Sequence, residues 1–262
     1  MKKLVYVCAV ILFLGIFIFS ACQLLQMGGE YRRGEKEYER LTQYVQLPEI
    51  TKATAPAVKQ EDSVTEDTTP PEEELQWPVV DFAALQAINP DVVGWIYIPD
   101  TKVNYPLVQG RDNDYYLYRL ISGEHNSSGS IFLDAKASSL FLSRNNPIYG
   151  HNMKNGSMFA DMTRYVDQEY YDEHPVAMLL TPEKNYIVKL FSAYVTDAWG
   201  DSWQLGFEES AYVQWLETLQ RRSCFTTDVV PAATDLVLTF STCTYETANA
   251  RFVVHGILEA CE

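Results

Sequence analysis

A chain of 262 residues, 47% hydrophobic and 13% aromatic, is long enough for one sizeable domain with appendages and too apolar for a wholly disordered protein. Its net charge of −15 comes with no basic stripe, which argues against nucleic-acid binding. Five cysteines (Cys8, Cys22, Cys224, Cys243 and Cys261) form no CxxC and no Cys/His spacing that suits zinc, and no acidic cluster suggests calcium, so no cofactor or metal is expected.

The chain opens with Met1-Lys2-Lys3 and then runs uncharged through residues 4–27. Residues 4–22 alone, as a helix rising about 1.5 Å per residue, come close to the ~30 Å hydrocarbon core of a bilayer. The preceding lysines set the amino terminus in the cytoplasm. Two rival readings exist: a cleaved signal peptide, and a lipoprotein box at Phe19-Ser20-Ala21-Cys22. All three put the remaining chain outside the cytoplasm. Residues 1–29 are thus read as a cytoplasmic start and membrane anchor. Residues 30–45 suggest a short amphipathic helix, weakened by Gly34. From 46 to 78 the composition shifts to Pro, Thr, Ala and Glu. Seven acidic residues between Glu61 and Glu74 have no Lys or Arg among them. Such a segment buries too little surface to offset its ordering entropy and reads as a stalk.

A folded domain is expected over 79–262. Asp81 is a candidate N-cap for a short helix through Ala87, stopped by Asn89-Pro90. Strands are expected over 93–98, 103–109, 130–133, 148–150, 176–180, 185–195, 236–242 and 252–258. One or two helical turns are expected over 112–118, and small helices over 158–165 and 168–174. Tyr212, Val213, Trp215, Leu216 and Leu219 recur at helical spacing within 208–221. Eight short strands with brief helices argue a mixed barrel or sandwich.

Cys243 ends the strand over 236–242, and Arg251 precedes the strand over 252–258. Strand ends suit chemistry because the sheet fixes the backbone while the side chain reaches open space. A thiol is a weak nucleophile until ionised, and a nearby cation helps to hold a thiolate. For an arbitrary pair eight residues apart, a structural cysteine beside a surface arginine, ion-paired with Glu246, is the plainer reading. A thiol nucleophile also needs a proton donor for its leaving group, and imidazole suits neutral pH. His125 falls in a loop and His174 at a helix end. His255 lies four residues after Arg251, on the same side of its strand, and is the geometric rival. His151 follows Tyr149-Gly150 at a strand end, where glycine allows a sharp turn.

Thr239-Phe240-Ser241-Thr242-Cys243 resembles the TLxTC signature of sortases, the cysteine transpeptidases of Gram-positive cell surfaces, with Phe240 in place of leucine. Arg251 resembles the family's third catalytic residue, and Asn146-Pro147-Ile148-Tyr149-Gly150-His151 its histidine block. Residues 94–108 and 112–134 resemble class B sortases in particular. The resemblance covers roughly 79–262 and implies an eight-stranded sortase β-barrel, mostly β with short helices, with an added helix before the active-site strand. It implies Cys243, His151 and Arg251 as catalytic residues, and Asn113, Leu117 and Ser241 as substrate-groove residues, against ordinary capping and packing for the first two. Thr244 and Tyr245 depart from one form of the pattern. The implied activity is cleavage of a sorting signal after threonine in a secreted protein and transfer of the acyl group to a peptidoglycan amine. A binding or sensor module with a structural Cys243, and a cysteine hydrolase using water, are the alternatives. Cys224 and Cys261 could form a disulfide, and two thiols is the default reading.

Overall fold

The computed structural model describes residues 2–47, 77–244 and 249–261. Most of the expected stalk, together with Tyr245 and Glu246, lies outside the described residues. Helix α1 runs without a break over Lys2–Leu41. The weakness expected at Gly34 does not interrupt it. Gly34 sits where α1 crosses residues 126–128, and a Cβ there would come within 3.0 Å of Ser128 Oγ. Beyond this crossing, Tyr38 and Leu41 are buried against the domain, and the Tyr38 ring meets Tyr105 edge-on at 5.3 Å. Strand β1 (Val45–Gln46) then pairs antiparallel with β2 (Val79–Val80). The folded body therefore takes in part of the segment that precedes Val79.

Helix α2 (Phe82–Ile88) is capped as expected, the Asp81 carboxylate accepting from Ala84 N–H at 2.9 Å. Eight strands follow: β3 (Val92–Tyr97), β4 (Asn104–Val108), β5 (Ile131–Leu133), β6 (Asn145–Tyr149), β7 (Val176–Leu180), β8 (Asn185–Asp197), β9 (Val237–Cys243) and β10 (Ala250–Cys261). They close into a barrel in the order β10-β8-β7-β3-β4-β5-β6-β9. The β4–β5 and β6–β9 pairs are parallel and the other six antiparallel. Closure leaves the barrel itself with no edge strand to pair with other chains. Helix α3 (Gln168–Glu173) lies between β6 and β7, and α4 (Glu209–Arg222) between β8 and β9.

Two apolar clusters lie on the two sides of β9 and β10. Leu238, Phe240, Phe252 and Val254 join the main cluster with Trp95, Leu133 and Ile148. Val237, Val253 and Ile257 face the other way and pack under Tyr212, Trp215, Leu216 and Leu219 of α4. The two-residue alternation of the strands thus feeds both the barrel and the helix that covers its outside. This explains why β9 is buried on both faces for most of its length.

Three local expectations change. Strand β6 begins at Asn145, ahead of the expected 148, because Asn145-Asn146-Pro147 takes part in the parallel ladder to β9 despite its turn-like composition. The helix expected over 158–165 is a 3-10 helix over Ala160–Val166, and only Tyr116–Tyr118 is helical within 112–118. There the Asp112 carboxylate accepts from the N–H groups of Asp114 and Tyr115, holding an Asx turn instead. Leu219, wholly buried on the inner face of α4, provides a test of the outer cluster. Leu219→Ala is expected to cost about 2–5 kcal/mol in urea unfolding, and a loss below about 1 kcal/mol would mean that α4 is not part of the cooperative unit.

Candidate active site

Cys243 closes β9 and Arg251 lies at the start of β10, and the two are direct partners in the antiparallel ladder. Partners in such a ladder project from the same face. Successive rungs down that face pair Ser241 with Val253, Thr239 with His255, and Val237 with Ile257. Helix α4 covers the lower rungs, and the Cys243–Arg251 rung opens into a cleft of about 880 Å³. Leu117, Tyr118 and His151 line one part of this cleft, and Trp199, Asp201 and Trp203 another. Cys243 is partly exposed and carries no disulfide, nor does Cys261.

His151 reaches the cleft through strand register. β6 runs parallel to β9 with Tyr149 opposite Ser241, and Gly150 N–H donates to the Ser241 carbonyl at 3.1 Å. Two residues beyond that rung on each strand come His151 and Cys243. Asn152 Nδ2 donates to the Cys243 carbonyl at 3.0 Å and ties the two ends together. Gly150 serves by its lack of bulk. Its φ is not positive, and a Cβ would come within 2.5 Å of Ile131 and 2.7 Å of Phe159. The sharp turn expected from the sequence is replaced by close packing.

The His151 ring is held by one hydrogen bond, Nε2 to the Leu117 carbonyl at 2.7 Å. A carbonyl only accepts, so Nε2 carries the hydrogen and Nδ1 keeps its lone pair. Burial pushes the His151 pKa below the usual histidine value; the Leu117 bond opposes this, and the Arg251 charge adds to the lowering. The ring is therefore neutral near pH 7, with a basic Nδ1. Tyr118 packs against it with ring centroids 5.7 Å apart.

Leu117 and Ser241 both line the cleft, Ser241 almost wholly buried. Asn113 lines it too, but its amide is engaged: Nδ2 donates to Asp134 Oδ2 at 2.8 Å, and Oδ1 accepts from Ala135 N–H at 2.8 Å. Asp134 also accepts from the Tyr149 hydroxyl at 2.9 Å. This buried carboxylate ties the Asn113 loop to β6, a role that sequence reasoning missed. The only signal was its place directly after β5.

His255 shares a face with Arg251, as its spacing predicts, but α4 roofs it. The Thr239 hydroxyl donates to Asn145 Oδ1 at 2.6 Å, so His255 Nδ1 donates to Thr239 at 2.9 Å. Its Nε2 is buried with no hydrogen-bond partner, and the ring stacks on Tyr194 at 5.5 Å. Asn145 in turn donates to the carbonyls of Ser202 and Gln204, at 2.9 and 3.0 Å, and so fastens the turn that bears Asp201 and Trp203. His125 stacks on Tyr118 and His174 lies 3.9 Å from Glu173, and neither lines the cleft. Among the described residues, no three His, Cys, Asp or Glu side chains gather as a metal site requires.

A closed eight-stranded barrel with a thiol, an arginine and an imidazole at the rim of one cleft has the architecture of the sortases, which are cysteine transpeptidases. No protein-family model matches the chain. It is 38% identical to Sortase B of Listeria monocytogenes over 177 residues, covering 66% of this chain and 72% of that protein. It is 34% identical to Sortase B of Staphylococcus aureus over 176 residues, with the same coverage. The solved Staphylococcus aureus sortase B–substrate complex superimposes with a TM-score of 0.66 at 32% identity, over 69% of this chain and 85% of that one. The chain belongs to the sortase B family and is a sortase-type enzyme. One of its helices, α1, is long and apolar enough to cross a membrane, as a signal sequence would also be.

Burial pushes the His255 pKa down to about 3. Below the ordinary histidine value of about 6.5 the unfolded chain takes up a proton that the folded chain refuses, so stability is lost as pH falls toward 3. Wild type is expected to lose up to about 1.4 kcal/mol per pH unit through this residue, measured by urea unfolding between pH 7.5 and 5.0. His255→Asn, which keeps a donor for Thr239 but does not titrate, is expected to be less stable at pH 7.5 and to show a flatter pH dependence. Parallel curves would refute the assignment.

Proposed function

We propose that Cys243, His151 and Arg251 carry out a two-step acyl transfer from a sorting signal to a cell-wall amine. The observation that supports this most directly is the Cys243–Arg251 rung opening on the cleft lined by His151, whose Nε2–H is engaged and whose Nδ1 is free to accept a proton. The thiol proton passes to Nδ1, giving a thiolate and an imidazolium. The thiolate attacks the carbonyl carbon of a threonine in the sorting signal, and Arg251 donates to the oxyanion or the adjoining substrate backbone. As the tetrahedral intermediate collapses, the C–N bond breaks and Nδ1–H protonates the departing amine, leaving a thioester. An amine of the peptidoglycan stem or cross-bridge then attacks the thioester and returns a proton to His151, and the C–S bond breaks. The Leu117 carbonyl orients the ring and favours its charged form. Ser241 and the Leu117 side chain bound the substrate groove, whereas Asn113 shapes it through Asp134.

In this reading residues 1–29 anchor the enzyme, residues 30–46 join the folded body, and residues 79–262 supply the barrel outside the cytoplasm. The uncharged run within α1 and the lysines before it support that orientation.

The test uses the full chain in detergent with quenched NPxTG-, SPxTG- and LPxTG-like peptides, with and without added amine, and products read by mass spectrometry. Cleavage between Thr and Gly, abolished by Cys243→Ala and diverted to an amide product by the amine, is the expected result. Water-derived product alone, whatever the amine, would make the protein a hydrolase. Arg251→Lys is expected to lower kcat by about 10²-fold with little change in KM, because a lysine cannot reproduce the planar donor fork.

A further inference from the structure

We propose that the second half of α1 is a positioning element for His151, acting through Glu37 and Tyr38 on the segment 118–130 and through it on the Leu117 carbonyl. The inference rests on the role given to His151 above.

Glu30, Arg33, Glu37 and Tyr38 fall at helical positions i, i+3, i+7 and i+8, and so share one face of α1. All four touch segment 118–130. The Glu37 carboxylate accepts from Ser122 N–H at 2.9 Å and from Ser122 Oγ at 2.7 Å. The Glu30 carbonyl accepts from Asn126 Nδ2 at 2.8 Å. The Tyr38 hydroxyl, fully inside the structure, donates to the Gly129 carbonyl at 2.6 Å and lies 3.1 Å from Ser130 Oγ. Arg33 pairs with Glu124 at 3.2 Å on the exposed side. The exposed ion pair contributes little; the Glu37–Ser122 bonds are exposed as well, but a carboxylate receiving two donors from one residue fixes both position and angle.

What the helix holds is a folded-back strip of chain. Asn126 N–H donates to the Tyr118 carbonyl at 3.0 Å, Ser130 N–H to the Tyr116 carbonyl at 2.9 Å, and Ser130 Oγ to the Arg119 carbonyl at 2.8 Å. The carbonyls on either side of Leu117 are therefore both bound by residues that α1 grips. The Leu117 carbonyl between them accepts the His151 Nε2–H at 2.7 Å. That single bond decides which ring nitrogen is basic, so the support of Leu117 bears on the proton-transfer step. The helix that does this is continuous with the uncharged run at 4–27.

The experiment compares wild type, Glu37→Ala, Glu37→Gln, Ser122→Ala and the double variant Glu37→Ala/Ser122→Ala, all as full chains in detergent micelles. Peptide-cleavage kinetics are read beside ring nitrogen–proton NMR of His151. Glu37→Ala is expected to lower kcat roughly three- to tenfold with KM unchanged, and to turn the single Nε2–H tautomer into a mixture. Glu37→Gln, which keeps an acceptor for Ser122, should stay within about twofold of wild type. The double variant should be no worse than Glu37→Ala alone. An active wild type whose kcat and tautomer are unmoved by Glu37→Ala overturns the proposal. So does a fall in kcat that Glu37→Gln shares in full, or one that leaves the tautomer single. If wild type cuts no peptide, the catalytic reading fails instead, and the tautomer spectra alone still decide whether α1 positions His151.

Discussion

The register between β9 and β10 is the constraint on which the site depends. It sets Cys243 opposite Arg251 on the outer face of the barrel. A slip by one residue in either strand would turn that strand's chemistry into the apolar interior and put Thr242 or Phe252 on the outer face in place of Cys243 or Arg251. Two features oppose a slip. Phe240, Phe252 and Val254 are committed to the main core, and Val253 and Ile257 to the outer cluster. Register is thus specified from both faces at once. Because β6 lies parallel to β9 on the opposite side from β10, the same strand also sets the level of His151. One strand aligns all three side chains.

The outer face of β9 and β10 is divided between concealment and exposure. Helix α4 and the turn before it cover the rungs from Val237 to His255, and stop short of Cys243. Asn145, Thr239 and His255 form a buried polar chain beneath that cover, and Asn145 carries it on to the Ser202 and Gln204 carbonyls. Buried polar groups are costly unless satisfied. This chain leaves one nitrogen of His255 unpaired while binding together four separate stretches of sequence. The turn held in this way forms a wall of the cleft, so part of the groove's shape is decided in the dry layer below it.

Much of this was legible in the sequence. Cys243 and Arg251 could be placed at strand ends because the runs beside them are β-branched and aromatic, and α4 announced itself through Tyr212, Trp215, Leu216 and Leu219. What escaped has a common physical cause. The Leu117 carbonyl is a backbone group, and no side-chain type encodes its role. Asn145 fell outside every expected strand, and nothing local marks it, because its amide acts at long range, across some sixty residues to the Ser202 and Gln204 carbonyls. His255 stood on the correct face by spacing, yet only the placement of α4 shows that the face is roofed there. Gly34 read as a weak point in a helix, whereas the contact with Ser128 gives it a use as a crossing point.

The unbroken course of α1 has a further consequence for any substrate. Where a helix leaves a bilayer and enters a protein body with no joint between, distance is fixed in a way that a loose tether does not fix it. From Met27, the last apolar side chain before Glu30, to Tyr38, packed in the core, the eleven residues of helix rise about 16 Å. The cleft of a membrane-seated copy would then stand at a set height above the lipid surface.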